Sequence, residues 1–222
     1  MPRTRRFSIF FCKSIFLGLS ISTECIRTLS NHLLVERIRD LEAELMREVC
    51  IDVQTEPHLL PLADVNIVGG NQADNARLDV SGVGVWGPMQ KTFLDIRVMH
   101  PNCPTYINQN IDQVYRNHEL EKKRAYNERI IQVEKASFTP IVVSTFGGMG
   151  KEAESFHKRL AVLIAEKRNE AYSHVVNYIR TRLRFCLLKS VLTCLRGVRG
   201  KLAKENITPV SNLSFNLIQF DD

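Results

Sequence analysis

The chain has 222 residues, of which 44% are hydrophobic and 24% are charged, and its formal net charge is +6. This length can bury a sizeable core in one domain, the composition is that of a globular protein, and the positive charge weakly favours a polyanionic partner. The six cysteines form no CxxC pair and no framework spacing, which argues against a disulfide scaffold and fits a reducing compartment.

Residues 1–32 differ in character from the rest of the chain. Three arginines among the first six residues precede the apolar run FSIFFCKSIFLGLSIS. This order is typical of a secretory signal, but the run is short for a membrane span and Lys13 interrupts it. Three interpretations stay open: a leader unrelated to the domain, which we favour, a secretory signal, and a membrane-surface helix.

A helix is predicted from about Leu33, because apolar residues recur there at the spacing of one helix face. The stripe consists of Leu34, Ile38, Leu41, Leu45 and Val49. Cys50–Thr55 then alternates as a strand, with Ile51 and Val53 on one side, and two prolines end it. Residues 62–76 contain Gly-Gly-Asn and are predicted to be a loop.

Two short strands are predicted in the middle of the chain, over Arg77–Val80 and Thr92–Met99, with the glycine-rich turn SGVGVWGPMQK between them. Each run has one carboxylate among apolar neighbours, Asp79 in the first and Asp95 in the second. A buried carboxylate costs free energy unless a charge pairs with it, so two on adjacent strands favour a shared cation. Arg97 shares a strand face with Asp95. The alternative is a turn aspartate plus a chance Asp–Arg pair.

Four further elements are predicted from hydrophobic periodicity. They are a highly charged helix over Ile111–Val133, a buried strand over Phe138–Thr145, and helices over Lys151–Lys167 and Ala171–Leu195. Gly197 and Gly200 are expected to end the last helix. The tail 204–222 has little pattern, although SFNLIQF would suit an edge strand. This order predicts an α/β domain over 33–203 with a short mixed sheet.

The same order, with its D…D-x-R, resembles the PD-(D/E)XK nuclease core. Over about 38–201, the stretches VQTEPHLLP, NARLDVSGVGVWG, FLDIRVMHPNC, ELEKKRAYNERIIQVE, FTPIVVSTFGGMG and YIRTRLRFCLLKSVLTCLRGVRG are similar to the restriction-like endonuclease region of some non-LTR retrotransposon polyproteins. That family usually has a Cys/His zinc knuckle upstream. Here only Cys12, Cys25 and His32 precede the core, without the paired spacing of a zinc site. We therefore expect an N-terminally truncated copy.

The resemblance implies a restriction-endonuclease-like fold with an additional C-terminal helical segment, and a DNA endonuclease that nicks its substrate with Mg²⁺ or Mn²⁺. Asp79 and Asp95 would bind the metal, together with the backbone carbonyl of Ile96. A further acid is left open among three candidates, Glu42, Glu48 and Glu56. Each of these is otherwise a solvated residue on a helix or at a strand end.

Arg97 departs from the family pattern, which often has lysine at this position. Arginine binds phosphate well but stays protonated and cannot act as a base. Either activation of the water falls to the metal ion alone, or Lys122 or Lys123, with Tyr126, takes the role, since ELEKKRAYNERI resembles the family's K-x-x-Y-like stretch. The alternative is a charged helix face held by pairs such as Glu119–Lys123.

The last predicted helix has an arginine-rich side that would track a nucleic-acid backbone. Its candidate contacts are Arg180, Arg182, Arg184 and Lys189. The alternative is that these residues cover the exposed side of a packed helix.

The expected partner is DNA, with RNA as a second candidate, in the nucleus or cytoplasm. Neither a small-molecule cofactor nor a membrane partner is expected, and secretion is the minority alternative. The competing functions are a catalytically inactive retroelement remnant that binds nucleic acid only, and an unrelated secreted or membrane-associated protein.

Overall fold

The computed structural model of the chain describes residues 23–62 and 70–202. Its helices and strands are α1 Thr23–Arg47, β1 Ile51–Thr55, β2 Val80–Val83, β3 Lys91–Met99, α2 Ile111–Arg129, β4 Ser137–Ser144, α3 Lys151–Arg168 and α4 Tyr172–Leu202. A short π-helix, Ile130–Glu134, continues α2. The edge strand predicted in SFNLIQF lies outside the described residues, as do residues 1–22 of the predicted leader.

The four strands form one mixed sheet in the order β1-β2-β3-β4. The β1–β2 and β2–β3 pairs are antiparallel, whereas β3 and β4 are parallel and are connected through α2. A parallel pair needs such a crossover, because a tight turn can join only antiparallel strands. The predicted α/β class with a short mixed sheet flanked by helices is confirmed.

Alternate residues of β3 face two different layers of helices. Leu94 and Ile96 pack into the main core with residues of α1, α3 and α4. Phe93 and Met99 belong to two smaller clusters that contain residues of α2 and of the π-helix. Because Asp95 lies between Phe93 and Met99 in this alternation, it faces α2 rather than the main core.

The second strand begins later than the sequence predicted. The predicted strand Arg77–Val80 contributes only its last residue to β2, and Ser81–Val83, which were assigned to the turn, pair with β3. Gly82 explains the difference, because a Cβ at this position would lie 2.6 Å from the Cε of Met46. This glycine allows α1 to pack closely against the sheet and does not break the strand.

Two other predicted boundaries and one predicted side-chain orientation were wrong. The helix predicted from about Leu33 begins at Thr23, within the segment assigned to the leader. The last helix runs through both glycines to Leu202, since a glycine costs a helix only about 1 kcal/mol. Ile51, predicted to lie on the same side of the strand as Val53, is exposed while Val53 is partly buried, and the β1–β2 register shifts between Ile51 and Gln54. Within the described ranges, no helix combines the length and apolarity needed to cross a membrane.

Candidate functional site

Asp79 lies immediately before β2, where the β2–β3 ladder ends. The last ladder pair is Val80 with Leu94, and the Asp79 amide still donates to the Leu94 carbonyl at 3.1 Å. Two residues further along β3, the Ile96 amide donates a hydrogen bond to Asp79 Oδ2 at 2.5 Å. The aspartate side chain therefore replaces the missing strand partner of Ile96, which holds its carboxyl group against β3.

The carboxyl groups of Asp79 and Asp95 are close enough for the charge of one to affect the protonation of the other. Burial raises the pKa of Asp79 to about 6. The charge of Asp95 also raises it, while the Ile96 amide and Lys122 act in the opposite direction. Two carboxylates this close repel each other when both are charged, so the pair favours a shared proton or a bound cation.

Lys122 of α2 provides the nearest positive charge. Its Nζ lies 2.6 Å from Asp95 Oδ2, in a partly buried ion pair. A carboxylate offers about four lone-pair positions on its two oxygens, and this contact uses one of them. Lys122 therefore balances the charge of Asp95 without saturating its oxygens, which keep free lone pairs.

Arg97 contacts α2 next to this pair. Its Nη1 lies 2.6 Å from Oε2 of Glu121, whose side chain is 63% exposed. Nδ1 of His118 is 3.7 Å from the same oxygen. Burial, followed by the charge of Arg97, lowers the pKa of His118, so the imidazole is neutral at neutral pH. Arg97 is therefore the principal charged partner of Glu121.

The neighbouring Lys123 has a different partner. Its Nζ lies 2.6 Å from Glu152 Oε1 at the N-terminus of α3, and the Glu152 amide donates to Glu119 Oε1 at 2.9 Å. The hydroxyl of Tyr126 accepts a hydrogen bond from Asn71 at 3.3 Å, away from the aspartates. Of the two lysines considered for the site, the structure brings only Lys122 to it.

The three glutamates considered as a further acid are held elsewhere. Glu42 pairs with His157, Glu48 with Arg168, and Glu56 with Arg39 and Arg77. Among the described residues, no three side chains of His, Cys, Asp or Glu form a group suited to a metal ion. The acidic part of the candidate site is therefore the Asp79–Asp95 pair.

The four basic residues predicted on the last helix do not share one face. Successive helical residues turn by about 100°, so Arg180 and Arg184 lie on one side, with Arg182 and Lys189 roughly opposite. Arg182 is tied to α1 through Glu44 at 2.6 Å. Any contact of this helix with nucleic acid would involve one pair rather than all four residues.

Sequence reasoning missed His118, Glu121 and Arg129. Arg129 is buried and donates three hydrogen bonds to backbone carbonyls of the loop before Asp79. The missed signal was the helical spacing of polar residues, because His118, Lys122 and Arg129 follow the i, i+4, i+11 rule of one face. From the sequence, only Lys122, Lys123 and Tyr126 of this helix were considered for the site.

Comparisons of the chain with protein-family models, with curated proteins and with solved structures found no match. The interpretation of the site therefore rests on its own chemistry. That chemistry consists of two adjoining carboxyl groups, a lysine ammonium beside one of them, and an arginine two residues further along the same strand.

Proposed function

We propose that this chain is a metal-dependent endonuclease of retroelement origin with a restriction-endonuclease-like core. The proximity of the Asp79 and Asp95 carboxyl groups, with Lys122 paired to Asp95, carries the proposal. The element order α1-β1-β2-β3-α2-β4 supports it, because the D-x-R strand is the inner strand β3 and the helix bearing Lys122 follows it. The sequence resemblance supplies the substrate class, which is DNA, with RNA as a second candidate.

The donor atoms fit a hard divalent cation. Ile96 directs its amide toward Asp79, and the amide and carbonyl of one strand residue point to the same side, so its carbonyl faces the same edge. Two carboxylates and a backbone carbonyl are the oxygen ligands that Mg²⁺ or Mn²⁺ accepts. Asp79, Asp95 and Ile96 would hold the ion. When bound, it would activate water and neutralise charge on the phosphate.

Lys122 and Arg97 provide the positive charges beside the two carboxylates. Lys122 holds Asp95 in place and puts a positive charge beside the carboxylates. Arg97 lies on the same face of β3, where its guanidinium suits a phosphate oxygen pair. Because arginine stays protonated, Arg97 binds the phosphate and does not act as a base.

We expect the purified protein to nick plasmid DNA with Mg²⁺ or Mn²⁺ and to stop when EDTA is added. Lys122→Met should lower the rate by about 100-fold or more, because it removes a charge at the reacting centre. Lys123→Met is the matched control, since its ammonium contacts Glu152 instead, and it should change the rate by less than about threefold.

Asp95→Asn should abolish cleavage and preserve DNA binding. Cleavage that survives Asp79→Ala combined with Asp95→Ala would contradict the mechanism.

A second candidate is a catalytically inactive remnant that binds nucleic acid only. It is favoured by the arginine at the usual lysine position and by the three glutamates that other residues hold. Absence of cleavage in every variant, together with salt-sensitive DNA binding, would favour the remnant. If Arg97→Lys then restored cleavage, the loss of that lysine would be the cause of inactivity.

A further inference from the structure

Arg97, the residue that the proposed function assigns to phosphate binding, already forms an ion pair with the carboxylate of Glu121. Arg97 Nη1 and Glu121 Oε2 are 2.6 Å apart, and the arginine side chain is 30% exposed. Glu121 is the more exposed partner at 63%, so a polyanion in solution can compete with it for Arg97. A carboxylate and a phosphate offer the same pair of oxygens to a guanidinium.

The neighbouring residues allow Glu121 to leave without disturbing the fold. Lys122, the next residue of α2, keeps its own contact with Asp95, so the helix remains attached to β3 when the Glu121 side chain turns away. His118 is buried and its pKa is lowered, so a neutral ring faces Glu121 and Arg97 supplies the main attraction. An exposed ion pair of this kind is weak. Its displacement needs only a side-chain rotation.

We propose that Glu121 is an internal stand-in for a nucleic-acid phosphate: it holds Arg97 in the free protein and gives way when a backbone phosphate binds there. The inference rests on the proposed function, because it takes nucleic acid as the ligand. It adds that Glu121 competes with the phosphate for Arg97, so the protein binds nucleic acid more weakly than it would if Arg97 were unpaired. The rival interpretation is a pair that only fastens α2 to β3.

The test is the affinity of the full chain for a short duplex DNA in EDTA, where no cleavage occurs. Glu121→Gln should tighten binding by about two- to fivefold, the equilibrium equivalent of a weak exposed pair. Glu128→Gln is the matched control. Glu128 is exposed two turns further along the same helix and accepts a hydrogen bond from Gln132. Glu128→Gln should increase DNA affinity less than Glu121→Gln does. Both substitutions change the net charge equally, but in Glu128→Gln the Arg97 side chain stays paired with Glu121.

The gain must also depend on Arg97. In an Arg97→Ala background, Glu121→Gln should bind no more tightly than Glu128→Gln. Equal gains from Glu121→Gln and Glu128→Gln, or a Glu121→Gln gain that persists without Arg97, would overturn the inference and leave the proposed function intact. Failure of the wild-type chain to bind DNA would overturn both. Glu121→Ala provides a second variant at the exposed position, with circular dichroism to verify folding.

Discussion

At the scale of single residues, the two carboxylates that the proposed function needs also lower the stability of the folded protein. Asp79 and Asp95 lie close together in a partly buried position, and Lys122 forms an ion pair with Asp95. The Ile96 amide partly compensates Asp79. Such a pair destabilises the folded protein whenever both groups are charged and no cation is bound. A local conflict of this kind is expected at a functional site.

The pH dependence of stability should report this conflict. Burial and Asp95 raise the pKa of Asp79 from 3.8 to about 6, so between these values the folded chain binds a proton that the unfolded chain has released. This term lowers the free energy of unfolding as the pH rises through that window. In EDTA at pH 7, Asp79→Asn should therefore increase the free energy of unfolding by about 1–2 kcal/mol.

Urea unfolding at pH 4 and pH 7 tests the sign of this effect. The stabilisation by Asp79→Asn should largely disappear at pH 4, where wild-type Asp79 is protonated in the folded state. Asp74→Asn, in the exposed part of the preceding loop, is the control and should leave the profile unchanged. A variant less stable than wild type at pH 7 would show that the carboxylate is not under electrostatic strain.

At the scale of elements, α2 organises the site. One face of this helix brings Lys122 to Asp95, and its last residue, Arg129, anchors the loop that leads into Asp79. Arg129 is 1% exposed, and its guanidinium donates to the carbonyls of Leu60, Asn71 and Ala73 at 2.8–3.1 Å. The same helix therefore positions both halves of the carboxyl pair.

Replacing Arg129 with lysine should destabilise the protein. Lysine keeps the charge but lacks the planar fork that reaches three carbonyls, so some of these acceptors lose their donors. We expect the free energy of unfolding to fall by about 1–3 kcal/mol in urea titrations. Arg124→Lys, at an exposed position of the same helix, is the control and should have little effect. Equal stability of Arg129→Lys and wild type would show that the three hydrogen bonds contribute little.

At the scale of the whole molecule, a buried ion pair connects two helices of the main core. Glu42 of α1 is fully buried, and His157 Nε2 of α3 lies 2.7 Å from its Oε1. Burial lowers the pKa of His157, but the charge and hydrogen bond of Glu42 outweigh it, so the net effect is a raised pKa. From the sequence, Glu42 was one of three candidates for a further metal ligand, whereas the fold pairs it with His157 between two helices.

His157→Gln should therefore destabilise the protein most at low pH. A raised pKa means that the charged histidine contributes its full stability below about 6.5 and loses it as the pH rises through the folded-state pKa. We expect a loss of about 3 kcal/mol at pH 6, because Glu42 is left buried without its cation, and a smaller loss at pH 9. His174→Gln, at an exposed position of α4, is the control in the same thermal and urea measurements. A loss that grows with pH would contradict the charged pair.

The sequence by itself determined the types and order of the elements. Local periodicity is short-range information, and it located the starts of the helices at Ile111 and Lys151 and both ends of the strand around Phe138 to within a residue. It also assigned Asp79 and Asp95 to neighbouring segments of the sheet. It misjudged Gly82, because a glycine required for close packing has the same local pattern as one that breaks a strand.

Only the tertiary structure decided which charges meet. Lys122 and Lys123 are adjacent in the chain but point about 100° apart on α2, so the rotation of that helix against β3 determines which one reaches Asp95. The partner of Glu42 was likewise set by the packing of α1 against α3. These pairings join residues far apart in the chain, and their energies depend on distance and burial, which no local pattern contains.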